Sequence, residues 1–334
     1  MTMTGRERVQ RTLTFNHPDK IPVLSWALPE VFIKYGQKLR AEVDKYDMDF
    51  HRPDHKDAEY PFDRYAAGTG RDAWGCVWHN HQPGIIGEVK EPPLATWDGL
   101  KKFKAPYHII DEGRENLAED IRQHRDRFIF PRSNMNLFER MQHIRGTENL
   151  LMDIAEESDE FYTLLDIVYD YYDKWVDKWL QYDIDNLLIA DDWGSQGSLL
   201  ISPLTWRRIY KPRYKAIIGK IRKAGRHVFF HSDGCIESIF CDLVELGVSA
   251  INSQLWIMDK ERLSHDFRGE VTFWGELDRQ GVLARGDAAE ILRDIKIMKS
   301  LFVHNGGGLI GTAAPCSRCS YDGIVETVAG WNRD

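Results

Sequence analysis

NLLIADDWGSQGSLLISPLTWRRIYKPRYKAIIGKIRKAGRHVFFHSDG, residues 186–234, contains two short apolar runs separated by a long amphipathic segment. NLLIADD at its start and HVFFHSDG at its end have the length and composition of buried strands. The intervening residues 202–225 predict a helix with Ser202 as its cap, Pro203 in its first turn and Gly225 at its end. This order predicts a βαβ unit with parallel strands.

The same alternation continues to the end of the chain, where three more amphipathic segments each precede a short apolar run. The predicted strands there are SAINSQ (249–254), VTFWGEL (271–277) and GGLIGTA (307–313). KIPVLSW (20–26) and RFIFPR (127–132) predict earlier strands, and residues 158–183 predict a core-packing helix. Six or seven strands are identified and an eighth is inferred. The predicted fold class is therefore α/β, a (β/α)8 TIM barrel.

Residues 40–100 interrupt this alternation, because they are rich in Asp, His, Gly, Pro and Trp. Within them, WGCVWHNHQPGIIGEVK (74–90) predicts a β-hairpin. We expect residues 40–100 to be an N-terminal insertion over the barrel mouth. The whole chain, 1–334, is expected to form a single domain, because α/β barrels commonly exceed about 250 residues.

Composition and net charge argue against nucleic acids and membranes as partners. The net charge is −8, from 52 acidic and 44 basic residues, and no basic run suggests a nucleic-acid surface. No apolar stretch reaches the length of a membrane span, and the charged start MTMTGRERVQ is unlike a secretory signal. Five cysteines suit a reducing compartment. We expect a cytoplasmic protein that acts on a small molecule, and the oligomeric state is left open.

Polar side chains follow the predicted strands. In a parallel α/β barrel the residues beyond the carboxyl ends of the strands meet at one face, which carries the active site. The candidates for catalysis are Asp191, His231 and Glu276, and those for binding substrate are Trp26, Trp78, Asp192, Trp193, Gln196 and Asn252. Asp191 paired with Glu276 also leaves a glycosidase as a minor alternative.

His231 and Asp233 are two residues apart, so both side chains can face the same way if the strand extends that far. Together they could bind a divalent cation or act as acid and base. The alternative is a hydrogen-bonded rim histidine and a turn aspartate before Gly234. Cys316 and Cys319 have the C-x2-C spacing of metal ligands and follow the last strand, although a single such pair also suits two loop thiols without a ligand.

Two other histidine pairs have spacings that metal sites use. They are His51 with His55, and His79 with His81. Their polar, Pro-rich surroundings favour solvated loop residues. The missing glycine fingerprint argues against a dinucleotide site, since GGG at 306–308 precedes a strand and does not open a helix.

Several segments together resemble one family. They are RERVQRTLTFNHPDKIPV, LFERMQHIRGTENLLMDI, DDWGSQGSLLISPLTWRRIYKPRYKAI, HSDG and FWGELDRQGVLARGDAAEI. In order and spacing they are similar to the uroporphyrinogen decarboxylase superfamily, and within it to the corrinoid-dependent, methylcobalamin:coenzyme M methyltransferase-like branch. This resemblance covers nearly the whole chain and implies a TIM barrel. True uroporphyrinogen decarboxylases carry an RQAGRY-type stretch where this chain has SWALPEVFIKYG, so porphyrinogen decarboxylation is not implied.

The resemblance also implies a zinc site. The zinc methyltransferases of this superfamily use a His-x-Cys pair and a later Cys. His231 matches the first ligand, Cys316 or Cys319 matches the last, and Asp233 stands in place of the middle Cys. This departure implies either a harder ligand set or a branch with different chemistry.

Methyl transfer is the leading functional hypothesis. It would run between a small methylated substrate (an aryl methyl ether, a methylamine or a thiol) and a corrinoid protein or related acceptor, with zinc or an acid as activator. Cobalamin would be carried by the partner protein. One alternative is a metal-free decarboxylase or lyase that uses Asp and His as acid and base. The other is a non-catalytic barrel that binds a ligand or a corrinoid protein.

Overall fold

The computed structural model describes residues 3–24, 26–46, 49–53, 55, 58–131, 134–312 and 318–333, with residue 134 described by its backbone alone. Within these residues the strands are β1 Phe50–His51, β2 Gly68–Arg71, β3 Val77–Asn80, β4 Glu88–Glu91, β5 Phe128–Ile129, β6 Asn134–Met135, β7 Asn186–Ala190, β8 His227–Ser232, β9 Ala250–Ser253, β10 Thr272–Gly275 and β11 Leu309–Gly311.

The helices lie mostly between these strands. They are α1 Gly5–Leu13, α2 Pro29–Val43, α3 Leu117–Gln123, α4 Leu137–Arg145, α5 Thr147–Glu156, α6 Asp159–Trp179, α7 Pro203–Ile209, α8 Lys211–Lys223, α9 Glu237–Leu246, α10 Lys260–Phe267, α11 Val282–Arg285, α12 Ala288–Phe302 and α13 Tyr321–Trp331. In the described part of the chain, no helix combines the length and the apolar character needed to span a bilayer.

The second half of the chain forms a parallel sheet, as predicted. Its strand order is β11-β10-β9-β8-β7-β6, and every neighbouring pair is parallel. Helices connect the successive strands from β7 to β11. A separate parallel pair, β1 with β5, supplies the strand that the sequence left to inference. The architecture is mixed α/β and is consistent with an eight-stranded barrel.

The ring of strands is not closed by backbone pairing among the described residues. Val23 pairs with Gly311 only through an isolated bridge, so the strand predicted at residues 20–26 is reduced to this contact. On its other side, the Val23 N–H donates to the side chain of Asp49 over 3.0 Å. The buried Asp49 carboxylate also accepts from Arg8. Between Val23 and β1, the side-chain carboxylate of Asp49 therefore accepts the hydrogen bond that a backbone carbonyl would accept in a paired strand. This junction is called the seam below.

The interior of the sheet is filled by alternate strand residues. Aromatic side chains from β1, β5, β8 and β10 pack there, among them Phe50, Phe128, Phe229 and Trp274. Their neighbours point outward to the helices, as the two-residue period of a strand requires. The polar residues that end β8 and β9 therefore lie above this aromatic layer.

One predicted boundary was wrong. The single helix predicted over residues 202–225 is two helices, α7 and α8, that meet at Tyr210. Pro212 has no N–H to donate to the preceding turn, so the hydrogen-bond pattern of a single helix is interrupted at this point. The interruption expected over residues 40–100 includes the end of α2 and the parallel strand β1.

The hairpin predicted at residues 74–90 is present as β3 and β4, and β2 extends it to an antiparallel three-stranded sheet. A buried ion network attaches this sheet to α4. Arg140 pairs with Asp72 at 3.2 Å and also with Glu59. The indole N–H of Trp78 donates to Asp72 over 2.9 Å. Trp78 therefore lies in the core, where it supports the inserted sheet.

Candidate active site

His231 lies at the carboxyl end of β8, directly beside Asn252 of β9. Its Nδ1 is 2.5 Å from Asn252 Oδ1, while the Asn252 amide N–H donates to the carbonyl of Trp274 over 2.7 Å. That second bond fixes the amide so that its oxygen faces the imidazole. Nδ1 must therefore be the donor, and in the neutral ring the Nε2 atom keeps its lone pair.

The Nε2 atom of His231 faces two carboxylates. It lies 3.7 Å from Asp192 Oδ1 and 4.0 Å from Asp233 Oδ1. The backbone N–H of Asp233 donates to Asp192 Oδ1 over 2.8 Å, which holds the two loops together. One nitrogen and two carboxylate oxygens thus lie within 4.8 Å of one another. Imidazole and carboxylate are ligands that zinc and other divalent metals accept.

Arg279 joins two of the acidic residues. Its Nη2 lies 2.8 Å from Asp233 Oδ1, and its Nε lies 3.0 Å from Glu276 Oε2. Glu276 is buried, and this burial raises the pKa of its carboxyl group although Arg279 and His231 oppose the shift. Arg279 was not among the predicted site residues, yet it lies in the loop after β10, where side chains at the mouth are expected.

Glu139 is a further acid that the sequence analysis missed. It lies in the first turn of α4, close enough to Asp191 and Asp192 for their charges to act on it. Burial, followed by the charges of these two aspartates, raises the pKa of Glu139 well above its usual value. It follows β6 directly, but the strand predicted there ended at residue 132, so its place at the mouth was not recognised.

The charges around His231 determine its protonation. Burial lowers the pKa of His231, but Asp192, Asp233 and Glu276 together raise it above its usual value of 6.5. We therefore expect the imidazole to titrate above this value in metal-free protein. Replacing Asp192 or Asp233 by Asn should lower the midpoint, as measured by NMR titration of the His231 ring C–H signals.

The raised pKa of His231 determines how this residue makes the stability of the fold depend on pH. The folded protein holds the proton more tightly than the unfolded chain, so the stabilisation is present below the unfolded pKa. It is lost as the pH rises through the folded pKa. A midpoint at or below 6.5, unchanged by the Asn substitutions, would show that the carboxylates do not act on His231.

Asp191 has a different environment from its neighbour Asp192. It is fully buried, and its Oδ1 accepts from the backbone N–H groups of Phe138 and Glu139 at 2.9 and 3.0 Å. Its Oδ2 accepts from the Tyr214 hydroxyl at 2.5 Å. Burial raises the pKa of Asp191 to about 7, although these hydrogen bonds oppose the shift. The structure thus places Asp191 beneath the mouth, where it anchors the start of α4.

Of the other predicted residues, some lie beside His231 or in an exposed loop and others are buried. Trp26 stands edge-on to His231, with ring centroids 6.4 Å apart, and Gln196 is exposed in the loop after β7. Trp193 is fully buried and stacks on Phe138. Cys319 is buried and does not belong to the ligand group around His231. Cys316 lies outside the described residues.

Two cavities lie at this end of the sheet. One, of about 620 Å³, is lined by Glu276, Arg279, Trp256 and Gln254. The other, of about 810 Å³, is lined by Trp26, Phe32, Tyr60 and Arg64. The first borders the ionic side of the His231 centre and the second borders its aromatic side. Either has room for a small organic substrate.

Comparison with known proteins supports the resemblance found in the sequence. No curated protein matches the chain in sequence. A solved methyltransferase from Methanosarcina mazei is 15% identical over 99% of this chain and 98% of its own, with a TM-score of 0.74, which shows a similar fold. The family model described as uroporphyrinogen decarboxylase (URO-D) matches residues 135–310, more than half of the chain. The matched range contains His231, Asp233 and Glu276, and the chain therefore belongs to the uroporphyrinogen decarboxylase family.

Proposed function

We propose that this protein is a methyltransferase built on a (β/α)8 barrel. It would move a methyl group between a small methylated compound and a corrinoid protein or related acceptor. The observation that carries the proposal is the Asp192–His231–Asp233 group, in which the lone pair of Nε2 faces two carboxylate oxygens at the carboxyl ends of neighbouring strands. The solved methyltransferase with a similar fold supports the same class of reaction.

This group fits a divalent cation, for which we propose zinc. His231 Nε2, Asp192 and Asp233 would hold it, and Cys316 remains the candidate thiolate ligand. When bound, zinc would act as a Lewis acid on the oxygen, nitrogen or sulfur atom that carries or accepts the methyl group. With aspartate in place of the middle cysteine, the donor set is harder than a thiolate set and carries no second fixed sulfur.

The surrounding residues have roles that follow from their contacts. Asn252 orients the His231 ring through Nδ1, as residues behind metal-binding histidines commonly do. Glu139, whose pKa is raised by burial and by the charges of Asp192 and Asp191, holds a proton more readily than an ordinary glutamate and can give it to the heteroatom that loses the methyl group. The edge-on Trp26 packs against one side of the His231 ring and lines the aromatic cavity beside it.

A metal-free decarboxylase or lyase is the second candidate, and the ion pairs of Arg279 favour it. Arg279 already neutralises Asp233 and Glu276, at 2.8 and 3.0 Å, so a cation would have to share Asp233 with a guanidinium group. In this alternative Arg279 binds a substrate carboxylate, while Glu139 and His231 exchange the proton.

Two measurements test the proposal together. Protein dialysed against zinc is expected to retain it, as determined by mass spectrometry, and Asp192→Asn/Asp233→Asn is expected to hold one equivalent less. The same protein should form methylcobalamin from cob(I)alamin with at least one donor from a panel of aryl methyl ethers, methylamines and methyl thiols. Absence of zinc at this centre, together with release of CO₂ from a carboxylated substrate, would establish the second candidate instead.

A further inference from the structure

A second cluster of histidine and aspartate side chains lies on the outer side of β1. Phe50 packs in the interior aromatic layer, so the next residue, His51, points to the opposite face. There its Nε2 lies 2.9 Å from Asp120 Oδ2 of α3. His124, at the end of the same helix, places its Nδ1 3.0 Å from Asp120 Oδ1.

The local structure explains why these three side chains meet. Asp120 and His124 are four residues apart, so both lie on one face of α3. The His51 and His124 rings are stacked, with centroids 3.7 Å apart and planes 12° apart. His55, which the sequence pairs with His51, instead packs its ring against Trp179. The partners of His51 are therefore distant in sequence, which is why spacing alone could not identify them.

We propose that His51, Asp120 and His124 form a second divalent-cation site, suited to Zn²⁺, Ni²⁺ or Co²⁺. The three ligand atoms lie within 4.8 Å of one another. Two imidazole nitrogens and one carboxylate are the donors that these borderline metals prefer. The side chains are 18%, 21% and 39% exposed, so a hydrated ion can reach them while the protein still shields the site.

Binding needs a change of tautomer in the two rings and a rotation that turns both nitrogens toward one ion, because stacked rings direct their lone pairs in parallel. His124 Nδ1 also has to give up its 2.9 Å hydrogen bond to the Asp120 backbone carbonyl. Without metal, the nitrogens that face Asp120 carry protons, because an ionised carboxylate is an acceptor only. When a cation binds, the proton of His51 moves to Nδ1 and that of His124 moves to Nε2.

The test separates this site from the His231 centre by using His231→Ala as the background. After dialysis against micromolar ZnCl₂, the background protein is expected to hold one equivalent of zinc by mass spectrometry. Adding His51→Ala and His124→Ala should remove it. Adding His79→Ala and His81→Ala, which deletes an equal number of imidazoles whose rings lie 4.5 Å apart, should leave it in place.

Zinc that survives the first pair of substitutions, or that disappears with the second, would overturn the proposal. A direct measurement does not depend on the folding of the multiple variants. X-ray absorption at the zinc edge of the His231→Ala protein should show two imidazole ligands and oxygen. A spectrum with fewer than two imidazoles would equally refute the site.

Discussion

His231→Ala is expected to lower kcat/KM for methyl transfer by about 10³-fold, within the range that a positioned acid–base or metal-binding group contributes. The substitution removes the nitrogen donor that faces Asp192 and Asp233, so only the two carboxylates of this group remain to hold the metal. Initial rates of methylcobalamin formation over a range of donor concentrations measure the effect. Bound zinc, determined in the same samples, should fall by one equivalent.

His227→Ala provides the matched control. His227 lies on the same strand at its opposite end, where its Nδ1 is 3.1 Å from Ser249 Oγ. The control variant should keep near-native activity, since its imidazole lies at the amino end of the strand and not at the mouth. Equal losses in the two variants would mean that β8 had been disturbed as a whole, and an active His231→Ala protein would remove His231 from the mechanism.

Arg140→Ala is expected to lower the free energy of unfolding by about 3–5 kcal/mol, the usual cost of removing one partner from a buried ion pair. The Arg140 and Asp72 side chains are almost fully buried, so the substitution leaves the Asp72 carboxylate without its cation. The pKa of Asp72 is already raised by burial, which shows how little water reaches it. Urea unfolding followed by tryptophan fluorescence measures the change.

Arg333→Ala is the corresponding surface control. Arg333 pairs with Glu326, but its side chain is about half exposed, so its loss should cost no more than about 1 kcal/mol. A similar small cost for Arg140→Ala would show that the ion network does not hold the inserted sheet to α4. In that case apolar packing alone would have to hold the inserted sheet to α4.

The second half of the fold was predictable because its strands are buried on both faces. Such strands are nearly continuous apolar runs, and helices of matching length separate them, so β7 to β11 are visible in the sequence. β1 could not be found in this way. It is two residues long and lies in a polar region, and its place in the sheet depends on a distant pairing with β5.

The candidate site was predictable in part for the same reason. His231, Asp233 and Glu276 follow recognisable strands, and the structure brings them together. Asp191 and Trp193 follow the same strand as Asp192 but point into the core, because successive residues alternate in direction. Glu139 could not be found, because the strand before it is only two residues long.

The carboxylate at the seam between Val23 and β1 affects how the molecule can move. A ladder of backbone hydrogen bonds opens only when several bonds break together, whereas this seam depends on the single buried carboxylate of Asp49, which Arg8 also holds. Weakening that one side chain should therefore loosen the segment that leads to Trp26 and the wall of the aromatic cavity, without breaking the backbone pairing from β6 to β11 that carries His231.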